Sequence, residues 1–95
     1  MIKEDIFSQL VKKIIQEQES IIGPLAIEQA KKVPGLKINW INHEVFVEGD
    51  KKSTLEGLAK QYESIFGQAS IEVCKEIVHS MINKLSKNEI PGLLQ

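Results

Sequence analysis

One stretch of this chain occurs twice, and this internal repeat limits the folds that the chain can adopt. Residues 19–31 recur as residues 63–75, at a constant offset of 44 positions, with the same Glu, Ser, Ile, Gly, Ile, Glu and Lys in both copies. A fixed period of this size is typical of one supersecondary unit used twice. In each copy an apolar run with helical spacing reaches a glycine, breaks and begins again. Each copy is therefore predicted to form a helix–Gly–helix corner.

The first copy is predicted to hold two helices. The first of these spans residues 3–22, where apolar residues recur at helical spacing. Gly23 and Pro24 interrupt it, since proline removes a backbone donor and suits the first turn of a new helix. The second helix is short and ends before Pro34. Its inward face consists of small side chains that permit a close approach to a neighbour: Ala26, Ala30 and Val33.

The second copy is predicted to follow the same plan. Ser53 and Glu56 have the spacing of a capping box, so the third helix is expected to begin near Ser53. Gly67 is expected to close this helix in a left-handed conformation. The fourth helix covers about residues 69–85 and carries the most regular apolar stripe. The residues just before the two corner glycines are expected to face the core: Ile21, Ile22, Ile65 and Phe66.

Between the two copies the apolar residues alternate, which predicts a β-hairpin at about residues 36–49. A two-residue turn at residues 42–43 would pair Trp40 with Val45 and Ile38 with Val47, and a longer loop is the alternative. Because successive side chains of a strand point to opposite faces, one set is expected to face the helices. This set is Leu36, Ile38, Trp40, Val45 and Val47.

The predicted fold is therefore α+β, with four helices in two helix–Gly–helix repeats that flank a central two-stranded antiparallel hairpin, in the order ααββαα. Residues 1–86 are expected to form one domain and residues 87–95 a C-terminal tail. No apolar run approaches the roughly 20 residues that span a bilayer. No apolar signal-peptide segment follows the N-terminus, so no membrane partner and a cytoplasmic location are expected.

Residue types that carry catalysis do not combine into a motif in this sequence. Cys74 and His79 are five positions apart on one predicted helix, so they point about 140° away from each other. Cys74 falls within the apolar stripe and is predicted to lie in the core, whereas His79 falls on the polar side. His43 is predicted at the hairpin tip, and two histidines with one cysteine give none of the usual zinc spacings. We expect no enzymatic activity, no cofactor and no metal.

Two alternative functions follow from other features. All 12 basic residues are lysines, and three doublets at 12–13, 31–32 and 51–52 could contact phosphates, as in a weak DNA-binding protein. The net charge of −1 and the absence of arginine disfavour a nucleic-acid partner. A carrier or sensor of a small apolar ligand would need a pocket between the helix pairs, where Ala26, Ala30 and Ala59 leave room.

The second face of the hairpin supports the main functional prediction. Ile41 and Phe46 would stand in water beside unpaired strand edges unless a partner covered them. A second copy of the chain is the simplest partner. Leu93 and Leu94 are predicted to belong to the same interface, or alternatively to cover Phe46 within the chain. The sequence thus predicts a non-catalytic protein-interaction or regulatory module that forms a homodimer.

Overall fold

A computed structural model describes residues 6–85 and 87–95 of the chain. Its helices and strands are α1 (Ile6–Ile22), α2 (Leu25–Ala30), β1 (Leu36–Asn39), β2 (Glu44–Val47), α3 (Lys51–Phe66) and α4 (Gln68–Ser80). Short 3-10 turns follow at Trp40–Asn42, Ile82–Lys84, Lys87–Glu89 and Gly92–Leu94. The α+β fold with the order ααββαα is confirmed. The predicted start of the first helix, at residues 3–5, lies outside the described residues.

The two repeat copies form the same corner. The amide of Gly23 donates to the carbonyl of Glu19, and the amide of Gly67 donates to the carbonyl of Glu63, each at 2.8 Å. The carbonyl of each glycine then accepts a hydrogen bond from the amide three residues later, at 3.0 and 3.1 Å. Both glycines have positive φ, +74° and +72°. The repeat seen in the sequence is therefore also a repeat of backbone geometry.

Gly67 closes α3 with the positive φ that was predicted. Its ψ of −160° nevertheless places it outside the left-handed helical region. Backbone in this region is adopted almost only by glycine. The residue therefore ends α3 and begins α4 without an intervening loop.

The two corners pack against each other reciprocally. The first helix of each copy packs against the second helix of the other, α1 on α4 and α3 on α2. Burial also repeats at the offset of 44: Val11 and Leu55 are both fully buried, and so are Ala30 and Cys74. The core is thus built as an approximate two-fold arrangement, in which each corner covers the apolar side of the other.

Residues 87–95, predicted as a tail, pack on the domain. Ile90 is 1% exposed and Leu94 is 0% exposed, and both belong to the main hydrophobic cluster. The carboxylate of Glu89 lies 3.2 Å from the ammonium group of Lys51 at the start of α3. Within the described residues, no helix is both long enough and apolar enough to cross a bilayer.

The hairpin lies where it was predicted but has a different register. Ile38 pairs with Val45 rather than Val47, and the loop spans residues 40–43. The two-residue turn is wrong because the usual form of that turn needs positive φ at both of its residues, and only His43 has one, +52°. The register differs by two positions, an even number, so each side chain keeps its predicted face.

The predicted division of the hairpin into two faces is confirmed. The inner set contacts the core: Leu36 and Val45 are buried, and Ile38, Trp40 and Val47 are partly buried. On the other face, Ile41 is 94% exposed and Phe46 is 51% exposed.

α3 begins at Lys51, two residues before the predicted start. Asp50 is the N-cap, and its carboxylate oxygen Oδ2 accepts a hydrogen bond from the amide of Ser53 at 2.8 Å. The predicted capping box at Ser53 is therefore wrong. Aspartate is among the strongest N-cap residues, and the hydrogen bonds from Ser53 hold the pKa of the Asp50 carboxyl below its ordinary value.

Candidate interaction surfaces

Trp40 fixes the tip of the hairpin to α1. Its indole Nε1 lies 3.3 Å from both carboxylate oxygens of Glu19. The ring of His43 meets the indole edge-on, with 5.1 Å between ring centroids. Because Trp40 is held inward, the loop presents its next residue, Ile41, to solvent. The tip therefore lies at the C-terminal end of α1.

The outer side of the hairpin combines apolar side chains with charges of both signs. Phe46 lies opposite Lys37 in the antiparallel register. The Lys37 ammonium group is 4.0 Å from the Glu48 carboxylate, and both side chains are more than half exposed, so this pair adds little stability. In the described chain the sheet has only β1 and β2, so each strand has an outer edge without a strand partner. This surface, made of Lys37, Ile41, Phe46 and Glu48, is termed the hairpin face.

The other two predicted interface residues contact the core. Leu94 is fully buried in the core, and Leu93 is partly buried against it. The turn Gly92–Leu94 packs on α4. Leu94 is thus part of the internal packing of the chain in this conformation, and the hairpin face is formed without it.

A second apolar surface lies where the two corners meet. A cleft of about 240 Å³ opens between the end of α1 and the start of α4. It is lined by Gln18, Ile21, Ile22, Phe66, Ala69, Ser70 and Val73. This surface is termed the corner cleft.

The prediction that the four residues before the glycines face the core is confirmed only for Ile22, which packs against the core, and is wrong for Ile21 and Ile65. Ile21 is 62% exposed and Ile65 is 41% exposed, whereas Ile22 and Phe66 are half-buried. The chain turns away at each glycine, so the last turn of α1 and of α3 lies at the rim of the core. Apolar side chains that the sequence assigns to the core therefore form a surface.

Gln18 is a member of this site that the predicted stripes do not include. Its side chain is 1% exposed, and its Nε2 donates to the carbonyl of Ser70 at 3.4 Å and lies 3.9 Å from the sulfur of Cys74. Its counterpart at the offset of 44 is Tyr62, whose hydroxyl donates to the carbonyl of Ala26 at 2.8 Å. The repeat offset is the signal that could have identified Gln18, because it aligns this residue with Tyr62, which is fully buried.

Cysteine and histidine, the two residue types best suited to catalysis, do not come together in the structure. Cys74 is fully buried, as predicted, and burial raises the pKa of its thiol to about 11, an effect that the hydrogen bond from Gln18 partly offsets. A thiol that stays protonated at neutral pH is a poor nucleophile. His79 is exposed near the end of α4, and His43 is at the hairpin tip. Among residues 6–85 and 87–95, no three His, Cys, Asp or Glu side chains are grouped in a way that could hold a metal ion.

The lysine doublets have neighbours within the chain. Lys51 lies 3.2 Å from Glu89, and its ammonium group is 5.8 Å from the ring centroid of Phe7. Lys12 and Lys13 line a polar cleft between α1 and the end of α4. Lys84 and Glu17 line the same cleft, so it carries three lysines and one carboxylate, and Glu17 offsets only part of its attraction for phosphate.

The pocket predicted around the three alanines does not coincide with the corner cleft. Ala26, Ala30 and Ala59 are at most 1% exposed and belong to the main core cluster. The apolar cleft lies instead beside the corner glycines.

Comparisons of the chain with models of protein families, with curated proteins and with solved structures found no match. The function must therefore be argued from the hairpin face and the corner cleft.

Proposed function

We propose that this protein is a non-catalytic protein-interaction module that works as a homodimer through the hairpin face. One observation carries the proposal: Ile41 is 94% exposed and Phe46 is 51% exposed, beside two strand edges that lack a partner in the described chain. A two-stranded sheet is marginal by itself and is stabilised by further strands. Soluble proteins seldom leave exposed apolar side chains next to a flat strand edge without covering them.

The charges of the hairpin face favour a second copy as the partner. The face carries both signs, Lys37 on β1 and Glu48 just after β2. In a two-fold contact the lysine of one protomer can approach the glutamate of its partner, while Phe46 packs against its symmetry mate. Antiparallel pairing of one strand edge with the same edge of another copy is also self-complementary in its hydrogen bonds.

Other features of the molecule support binding rather than catalysis. The Cys74 thiol is buried and protonated at neutral pH, so it presents no nucleophile to solvent. DNA binding is less well supported, since Lys51 is engaged with Glu89 and Phe7. The exposed groups of the hairpin face are those of a contact surface, with apolar side chains beside a mixed polar rim.

Sedimentation equilibrium from low to high micromolar concentration tests the proposal. The wild type is expected to be dimeric, and Phe46→Glu is expected to be monomeric with an unchanged helical circular dichroism spectrum. Ile21→Glu is the matched control, because it places the same charge on an exposed apolar residue of the corner cleft, and it should remain dimeric. A wild type that stays monomeric at high micromolar concentration would contradict the proposal, and so would a Phe46→Glu variant that dimerises normally.

A further inference from the structure

The two corners are the second place where the chain leaves apolar side chains in solvent, and Ile21 is the one of these exposed residues that lines the corner cleft. Among the described side chains, every large exposed apolar residue outside the hairpin belongs to the two corners: Ile21, Leu25 and Ile65. Ile22 and Phe66 lie half-buried between them. The dimer proposed above uses the hairpin face, so it does not account for this surface.

The side chain that lines the cleft at Gln18 is smaller than its counterpart in the other copy. At the equivalent position of the other copy stands Tyr62, a larger side chain that is fully buried and bonded to Ala26 at 2.8 Å. Glutamine is smaller than tyrosine, which is consistent with a recess beside Gln18.

The charges of both corners are mainly acidic: residues 19–31 carry two glutamates and Lys31, and residues 63–75 carry two glutamates and Lys75. Residues 14–30 and 61–74 contain no lysine, although the chain has 12 lysines and a net charge of only −1. Lys13 lies two turns before Ile21, about 12 Å along the helix axis. On α4, the first lysine after Gly67 is Lys75. The charged residues of the two segments are Glu17, Glu19, Glu28, Glu63 and Glu72.

We propose that the corner cleft binds a cationic amphipathic helix of a partner protein. Apolar side chains spaced three or four residues apart on such a helix would enter the cleft between Ile21 and Val73, as in other helix-in-groove contacts. Lysine or arginine on the flanks of the helix would meet exposed carboxylates such as that of Glu72.

The mainly acidic surroundings argue against the other occupants. An acidic peptide would be repelled by the glutamates. A second copy of this chain would have to present a cationic apolar surface, but its hairpin face carries Glu48, which already pairs with Lys37. A cationic helix is the occupant that uses both the apolar walls and the acidic surroundings.

A fluorescent peptide tests this proposal with the full chain. The probe is a helical peptide of about 18 leucines and lysines arranged with one apolar face, and binding is measured by anisotropy at low and high salt. The Leu–Lys peptide is expected to bind, with weaker binding at high salt. A Leu–Glu peptide with the same pattern is expected not to bind. The same Leu–Lys composition in a scrambled order should bind weakly.

Variants test whether the peptide binds at the corner cleft. Gln18→Tyr places a larger side chain in the recess and should weaken peptide binding about tenfold. Ala69→Lys, at an exposed cleft position, should weaken it similarly without disturbing the core. Asn83→Lys adds the same charge at an exposed site outside the cleft lining and should have little effect. Phe46→Glu should bind the peptide normally, which separates this proposal from the dimer.

Four results would overturn the proposal. Equal binding of the Leu–Glu peptide would show that the positive charge is not recognised. Equal binding of the scrambled peptide would show that the amphipathic pattern is not recognised. Normal binding by folded Gln18→Tyr and Ala69→Lys would place the peptide elsewhere. Binding of an uncharged probe such as naphthalene, without binding of the Leu–Lys peptide, would identify the cleft as a site for small apolar ligands.

Discussion

Gln18 and Tyr62 stand 44 residues apart and make the same kind of contact in opposite directions. Gln18 donates to the carbonyl of Ser70, and Tyr62 donates to the carbonyl of Ala26, which is itself the counterpart of Ser70. Each bond links the first helix of one corner to the second helix of the other. The two corners are therefore joined by a reciprocal pair of buried hydrogen bonds as well as by apolar packing.

These two hydrogen bonds differ in length, and we expect them to differ in how much they contribute to the free energy of unfolding. Tyr62→Phe removes a 2.8 Å hydrogen bond while keeping the ring, and should cost about 1 kcal/mol. Gln18→Met removes contacts of 3.4 and 3.9 Å, and should cost less than about 0.5 kcal/mol. Urea denaturation at pH 7 measures both values. Equal losses would show that the two bonds are equivalent in solution.

Gly67→Ala should destabilise the protein through backbone strain alone. A Cβ at this position would meet no atom within 4 Å, but φ is +72° and ψ is −160°. The expected cost is about 1–3 kcal/mol. Gly49→Ala is the control, because a Cβ there also meets nothing within 4 Å and its φ is not positive. A similar loss for both variants would refute an origin in backbone conformation.

Phe66→Ala should be milder than a core truncation. Phe7 is 1% exposed, so Phe7→Ala should cost about 3–5 kcal/mol. Phe66 is half-buried at the rim of the corner cleft, so its truncation should cost roughly 1–2 kcal/mol. Chemical denaturation of both variants compares them directly. A loss for Phe66→Ala that equals the loss for Phe7→Ala would mean that the cleft is closed in solution.

Stability should fall as the pH rises above about 9. Burial raises the pKa of the Cys74 thiol from 9.0 to about 11, so the unfolded chain loses this proton at lower pH than the folded protein does. The stabilisation is present below pH 9 and is lost between pH 9 and 11. Burial also raises the pKa of Tyr62 above its ordinary value of 10.0, with a smaller contribution from nearby Cys74, which continues the fall.

Cys74→Ala separates the thiol from the other groups that titrate at high pH. Alanine is also the residue at the equivalent position of the first copy, Ala30. The free energy of unfolding is measured at pH 8, 9, 10 and 11. Over this range it should fall by about 1–3 kcal/mol less in the variant than in the wild type. Parallel curves for the variant and the wild type would contradict a raised thiol pKa.

Much of the fold could be predicted because the spacing of the apolar residues and the positions of glycine and proline indicate the same helices and strands. The faces of the hairpin were predictable even though its register was not, since a shift of two positions leaves every side chain on its own side. The register itself depends on the loop, where Trp40 turns inward to reach Glu19. A sequence does not show that contact, which joins residues 21 positions apart.

The surfaces were only partly predictable, because exposure depends on where one helix ends relative to another. Ile21 and Ile65 continue the apolar stripes of their helices, yet both lie in the last turn before the corner glycine and are exposed. Leu94 shows the reverse case, since a short turn at the C-terminus carries it into the core. Phe46 was predictable because strand alternation separates it from the core, whereas Ile41 lies in the loop and is exposed beside the inward-turned Trp40.

The central claim is that the hairpin face joins two copies of this chain. Amide proton–nitrogen correlation spectra, recorded from low micromolar to near-millimolar protein, test it most directly because they report each residue separately. We predict concentration-dependent shifts at the amides around Ile41 and Phe46, none at Val73 in the corner cleft, and their loss in Phe46→Glu. Spectra that do not change with concentration, or shifts confined to the corners, would contradict it.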